Sequence, residues 1–272
     1  MNIRNHLFYT PDRCSFGNSW RKGLRYLALG SLFLIALYGR VGFAAEGEFD
    51  GSDYSFEYSK DDVDKVMQLT PNLDNGKKIY VICAVCHEPE GWGREDGYYP
   101  QIAGQLRVVQ IKQLIDIGMG NRDNPTMFPF ALREVLPTAQ DIVDVSAYIE
   151  DLPMSPANGL GPGTELALGE RIYRENCVDC HGENGEGVEE KHGPLIQGQH
   201  YEYLVRQFEW IRDGKRRNAD PEMVKQIKGF SDHDIRAQMD YVSRMRPPAG
   251  KIAPLGWQNP DFPKYWRSEH SQ

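Results

Sequence analysis

Cys83-Ala-Val-Cys86-His87 and Cys177-Val-Asp-Cys180-His181 are the two segments of this 272-residue chain best equipped for chemistry. In C-x-x-C-H, two thiols add across the vinyl groups of a haem and the adjacent His supplies an axial nitrogen to the iron. Structural zinc also uses Cys pairs, but it has no need for a His directly after the second Cys in both copies. A thioredoxin-like dithiol calls for a strand-then-helix setting that neither motif shows. Two copies predict two covalently bound haems c, leaving Cys14 as the only cysteine outside the motifs.

The motifs sit inside a longer repeat. Gly76, Ile79 and Tyr80 match Gly169, Ile172 and Tyr173 at an offset of 93, which becomes 94 at the first Cys. Pro100 then meets Pro194, Ile102 meets Ile196, Gly104-Gln105 meets Gly198-Gln199, Gln113 meets Gln207 and Gly120 meets Gly214. Asp141-Ile142 and Tyr148 meet Asp234-Ile235 and Tyr241, again at 93. The chain thus reads as a duplicated unit.

Each unit has elements able to hold a haem. A helix enters the motif (Asn75 to Val85; Glu165 to Val178), with apolar residues at helical spacing. A Gly- and Pro-containing loop leads to a middle helix, Leu106 to Gly118 and Tyr201 to Gly214, each expected to stop at its glycine. A last helix, Thr138 to Leu152 and Ser231 to Arg246, opens on a capping residue followed by acid. No strand pair is evident, so the fold class is all-α.

The sixth iron ligand decides whether a haem transfers electrons or does chemistry. Each unit places one Met in the corresponding loop, Met127 and Met223, 40 and 42 residues after the motif His. The competing reading for a lone Met is core packing, but equivalent loops point to ligation of both irons. Met119, Met239, Met245, His192, His200 and His233 are the competitors; they suit helix faces or lack a counterpart in the other unit. Pro100 and Pro194 offer rigid loop carbonyls to the second N–H of each motif His. Arg122 and Arg216 suit charge-assisted contacts to haem propionates, the alternative being exposed loop arginines.

Residues 1–45 read as a signal peptide or N-terminal anchor: Arg21, Lys22 and Arg25 precede an apolar run from Tyr26 to Gly39, with Gly42-Phe43-Ala44 as a small-x-small cleavage site. The run is short for a spanning helix. The whole chain has 31 Lys+Arg and 39 Asp+Glu, net −8; without the leader's six basic and one acidic residues it is −13. Residues 46–152 carry 9 basic and 20 acidic residues, whereas 153–272 carry 16 and 18. Such a field argues against nucleic acid and favours a partner docking a basic surface on the first unit, the alternative being that excess acid merely keeps a secreted protein soluble. Residues 46–72 form an acidic aromatic extension, 73–152 the first domain, 153–164 a Gly/Pro linker, 165–247 the second domain and 248–272 a Pro/aromatic tail. The aromatic content of the two flanks (Phe49, Tyr54, Phe56, Tyr58; Trp257, Phe262, Tyr265, Trp266) suggests coil wrapped on the protein or a partner, the alternative being disordered tails.

The two C-x-x-C-H motifs, the Pro-x-Ile-x-Gly-Gln runs (Pro100 to Gln105; Pro194 to Gln199), the Gly-x-Arg before each Met and the Asp-Ile…Tyr of each last helix resemble the diheme cytochrome c4 family. The resemblance covers about residues 74–152 and 165–246. It implies two tandem class I cytochrome c domains related by pseudo-twofold symmetry, with low-spin His/Met haems whose propionates face each other. It also implies periplasmic electron transfer to a terminal oxidase or reductase. The chain departs from the family at Glu88-Pro-Glu-Gly91 after His87, and in its two flanks. An electron carrier without substrate turnover is the leading expectation. A dedicated acceptor subunit of a dehydrogenase complex is the alternative, which the tails favour. A diheme redox enzyme would need an exchangeable ligand or a free Cys, and the mature chain offers no free Cys.

Overall fold

A computed structural model describes residues 65–263 together with Trp266. The expected leader with Cys14, the aromatic residues Phe49 to Tyr58 of the extension, and Tyr265 lie outside the described residues. Within them the fold is helical, and extended backbone pairs only at two isolated bridges, Met154 with Ile252 and Val188 with Gly193. The helices are α1 (Leu73–His87), α2 (Arg107–Gly118), α3 (Ala139–Asp151), α4 (Leu166–Asn176), α5 (Val178–His181), α6 (Tyr201–Arg212), α7 (Pro221–Ile227) and α8 (Asp232–Ser243). None of them is long and apolar enough to cross a membrane.

The last helix of each unit starts where its cap dictates. The Thr138 hydroxyl accepts from Asp141 N while the Asp141 carboxylate accepts from Thr138 N, and Ser231 with Asp234 repeats this capping box. These contacts hold the Asp141 and Asp234 carboxyls below their ordinary range, the Thr138 and Ser231 hydroxyl hydrogen bonds being the main cause.

The entry helix crosses the last helix at the repeated glycines. A Cβ on Gly76 would collide with the Asp144 carbonyl, and one on Gly169 with the Ala237 carbonyl. Tyr80 and Tyr173, both fully buried, fill the space beside each crossing. Their hydroxyls donate to the carbonyls of Glu88 and Gly182, 2.8 and 2.6 Å away, fixing the residue that follows each motif.

Three expected details come out differently. The middle helix ends at Gly118 as expected, but Gly118 is not its left-handed stop: it packs too closely against the Ala131 carbonyl to carry a side chain; the left-handed residue is Gly120, φ 78°, repeated as Gly214, φ 71°. The second entry helix breaks at Cys177 instead of continuing to Val178. That copy has one more residue between Tyr173 and Cys177 than the first has between Tyr80 and Cys83. The break absorbs a rotation that would otherwise swing the motif off its face, and the Asn176 side chain donates to Ile172 O at the last turn. Met223 lies in a short helix, α7, rather than a loop; Asp220 caps it and Pro221 occupies its first turn.

The tail wraps on the first unit. Ala253 N donates to Met154 O, and Trp257 and Phe262 join the apolar cluster of Tyr80, Tyr148 and Leu152. The buried Asn259 side chain donates to Pro89 O, while its backbone N–H donates to Glu90 Oε1. Two of the departures from the family pattern therefore meet: the unusual loop after His87 is the seat of the added C-terminal tail.

Candidate functional site

The helices enclose a cavity of about 930 Å³ shared by both units. It is lined from one side by Cys83, Cys86, His87, Pro100, Arg122 and Met127, and from the other by Cys177, Cys180, His181, Pro194, Arg216 and Met223. All twelve residues singled out from the sequence are thus brought to one space. None of the four motif thiols is in a disulfide, and burial pushes Cys83 and Cys177 up to about 12, leaving them neutral. Among the described residues no group of three or more His, Cys, Asp or Glu is placed to hold a metal ion.

His87 Nδ1 lies 3.0 Å from Pro100 O and His181 Nδ1 lies 2.9 Å from Pro194 O. Burial holds both imidazoles below their ordinary range, against the carbonyl's opposite pull. A neutral ring that donates through Nδ1 keeps its Nε2 lone pair for a metal, and the carbonyl fixes the ring's plane. This arrangement, beside a thiol pair and opening on an apolar cavity, fits a haem.

The competitors for the sixth position divide by place. Met119 is half exposed and, like Met245, does not line the cavity. His200 is buried elsewhere, its Nε2 2.7 Å from Trp92 O and its Nδ1 accepting from Gly159 N, where it ties the linker to the first unit. His192 and Met239 do reach the lining. His192, however, lies in the turn that carries Pro194 and folds back on α5 through the Lys191 to Asp179 O contact, the side from which His181 approaches. Met239 is packed within the second core with Ile235 and Val242.

Where the units meet, the repeated glutamines exchange partners. Gln105 donates to Leu195 O and accepts from Leu195 N; Gln199 donates to Gln101 O and accepts from Gln101 N, all at 2.8–3.0 Å. Residues 101 and 195 are themselves equivalent, so the exchange is a pseudo-twofold pair. Arg122 donates to Gln113 of its own unit and Gln207 of the other, while Arg216 donates to Gln207 of its own and Gln113 of the other. Arg122 is 8 % exposed, which sets aside the exposed-loop alternative for it.

Arg206 and Lys112 border the same place. Burial raises the Tyr203 phenol, yet Arg122, Arg216 and Arg206 together bring it below its ordinary value. A concentration of cations in a chain of net charge −8 calls for anionic groups in the cavity. Haem propionates meet that need. Sequence reasoning missed the role of Gln105, Gln113, Gln199, Gln207 and Tyr203. The signal was there for the glutamines, polar residues held in register across both copies.

Residues 166–246 match the Cytochrome c family. The chain is 30% identical over 199 residues to a thiosulfate dehydrogenase electron acceptor of Stutzerimonas stutzeri (strain A1501), covering 66% of this chain and 90% of that one. It is 29% identical over 185 residues to a cytochrome c4 of Azotobacter vinelandii, covering 61% and 86%. The fold is similar to the crystal structure of reduced recombinant cytochrome c4 from Pseudomonas stutzeri, with a TM-score of 0.58 at 24% identity over 65% of this chain and 100% of that chain.

Proposed function

The chain belongs to the diheme cytochrome c4 family and carries electrons on two covalently bound haems c, and from that premise we propose that His87 with Met127 and His181 with Met223 close the coordination of the two irons. Haem iron supplies the one-electron chemistry. Cys83 with Cys86 and Cys177 with Cys180 anchor the groups, and the carbonyls of Pro100 and Pro194 orient the ligating imidazoles. Arg122 and Arg216 offer N–H donors to the propionates at the boundary between units. The observation that carries this reading is that each unit delivers a carbonyl-held His and one equivalent Met to the same cavity.

With no open position on either iron, the protein takes an electron from one redox protein and passes it to another. The partners are respiratory: a terminal oxidase, a reductase or a dehydrogenase, docking a basic surface on the acidic first unit. A dedicated acceptor subunit of a dehydrogenase is the second reading, supported by the likeness to a thiosulfate dehydrogenase electron acceptor. The leader assigns the mature protein to the periplasm, where a chain carrying c-type haem belongs. The test is the oxidised spectrum: the weak long-wavelength band of Met–iron ligation is expected for both haems. Met127→Ala and Met223→Ala should each remove part of it and admit cyanide to one iron. Two variants with unchanged spectra would refute the ligand assignment.

A further inference from the structure

Electron exchange needs a surface where a partner comes close to a haem, and the two entry helices offer very different ones. On α1, residues 73, 77, 81 and 85 follow one face at a spacing of four. Leu73, Val81 and Val85 are 45%, 41% and 65% exposed, and Lys77 is tied to Asp261 of the tail. Val85 lies between the two haem-anchoring cysteines, so this face abuts the first attachment site directly. Tyr98, also exposed, is set edge-on to Tyr99, whose ring in turn lies 6.3 Å from that of His87.

The second copy is an internal control. Val81-Ile82 is replaced there by Arg174-Glu175-Asn176, and Val85 by Asp179. Arg174 is engaged on its own surface, 2.9 Å from Glu170 and 3.8 Å from Glu183. An entry helix around a C-x-x-C-H motif therefore has no inherent need for apolar residues at these positions. Exposed Val on one copy and self-paired charge on the other is a difference that folding does not demand.

We infer that the outer face of α1 is the docking surface for a redox protein whose contact patch is apolar and rimmed with lysine or arginine, so that electrons cross at the first haem. The apolar face sets the contact. The rim is assigned by charge: residues 65–152 hold 12 acidic against 8 basic residues, with Glu95 and Asp96, the latter paired with Arg94, exposed in the loop before Tyr98. The inference rests on the electron-carrier reading above and specifies where its partner binds.

The test transplants the second copy's surface onto the first without changing net charge, as Val81→Arg with Val85→Asp in the haem-loaded protein. Electron transfer is timed by stopped flow against two probes: a basic monohaem cytochrome c whose apolar haem edge is ringed with lysine, and the small cation hexaammineruthenium. The rate with the protein probe should fall about tenfold, as for loss of a central interface contact, and the rate with the small cation should stay unchanged. The reciprocal change, Arg174→Val with Asp179→Val, should not lower either rate. If the double variant folds poorly, Val85→Asp alone gives the same direction at a strongly exposed position. An undiminished rate with the protein probe overturns the inference. So does a wild-type dimer that the swap turns into a monomer, which would make a second copy the occupant. Failure of the wild-type protein to exchange electrons with the small cation would instead refute the carrier reading beneath it.

Discussion

Where α1 runs unbroken from Leu73 to His87, its counterpart ends at Asn176 and restarts at Val178, yet both deliver Cys, Cys and His to the same cavity. The comparison of the two units repeats this lesson at every level. Facing inward they agree: Gly76 and Gly169 at the helix crossings, Tyr80 and Tyr173 beneath them, Pro100 and Pro194 on the histidines, Gln105 and Gln199 across the boundary. Facing outward they part. The first unit has an apolar α1 face and a tail seated on its loop; the second has charged residues at the same face and no such cover among the described residues. Close packing leaves interior positions little latitude, whereas surface substitutions away from special features cost little.

The largest effect that tests the comparison is at the irons. Met127→Ala and Met223→Ala should each open one haem to cyanide or carbon monoxide, with half the total ligand bound per variant and all of it in the double variant. Titration by absorbance reads this directly, and unequal stoichiometries would show that the interior symmetry stops short of the metal.

Next is the tail. Phe262 is 6% exposed against Tyr80 and Trp266, so Phe262→Ala should destabilise the first unit by about 3–5 kcal/mol. The second unit, whose core contains no tail residue, should unfold where it did before. Calorimetry separates the two cases, and an equal shift of both units would mean that they unfold as one.

The crossings should respond alike. Gly76→Ala and Gly169→Ala each force a methyl against a backbone carbonyl, and a loss of about 1–3 kcal/mol is expected for either, measured by urea denaturation. A large loss from one and none from the other would break the equivalence of the helix pairs.

The smallest effect is at the caps, where Thr138→Ala and Ser231→Ala should each cost about 1 kcal/mol. The partner carboxyls Asp141 and Asp234 have folded-state pKa values depressed below 3.8. Their contribution is therefore present above the unfolded value and lost as pH falls through the folded one. The cap variants should differ from wild type at pH 7 and converge with it as the pH falls through the depressed folded-state values of Asp141 and Asp234. A difference that persists undiminished in acid would place the stabilisation in the hydroxyl alone.

Much of the site was legible because its parts are close in sequence or repeated. The C-x-x-C-H spacing is a covalent requirement, the caps are local hydrogen bonds, and the offset of 94 carried Pro, Gln and Arg from one unit to the other, with Met two residues further on. The helix break at Cys177 was less accessible, since a one-residue insertion between two helical stretches does not announce which turn absorbs it. Gly118 ends the helix as expected but is not the left-handed residue, which is Gly120; a close approach to Ala131 and a left-handed turn both ask for glycine, and the sequence pattern alone does not distinguish them.

By itself the sequence pointed to two haem attachment sites, to the His and Met proposed here for each, and to an all-α duplicated unit. These follow from bond geometry and helical periodicity, which act over a few residues. Only the tertiary structure decided that Gln113 and Gln207 share both arginines across the boundary, that Asn259 sits on Pro89 and Glu90, and that one entry helix shows valine to solvent. Those contacts join residues up to 170 positions apart. Their partners are chosen by how packed surfaces meet, a property of the folded chain that no local spacing encodes.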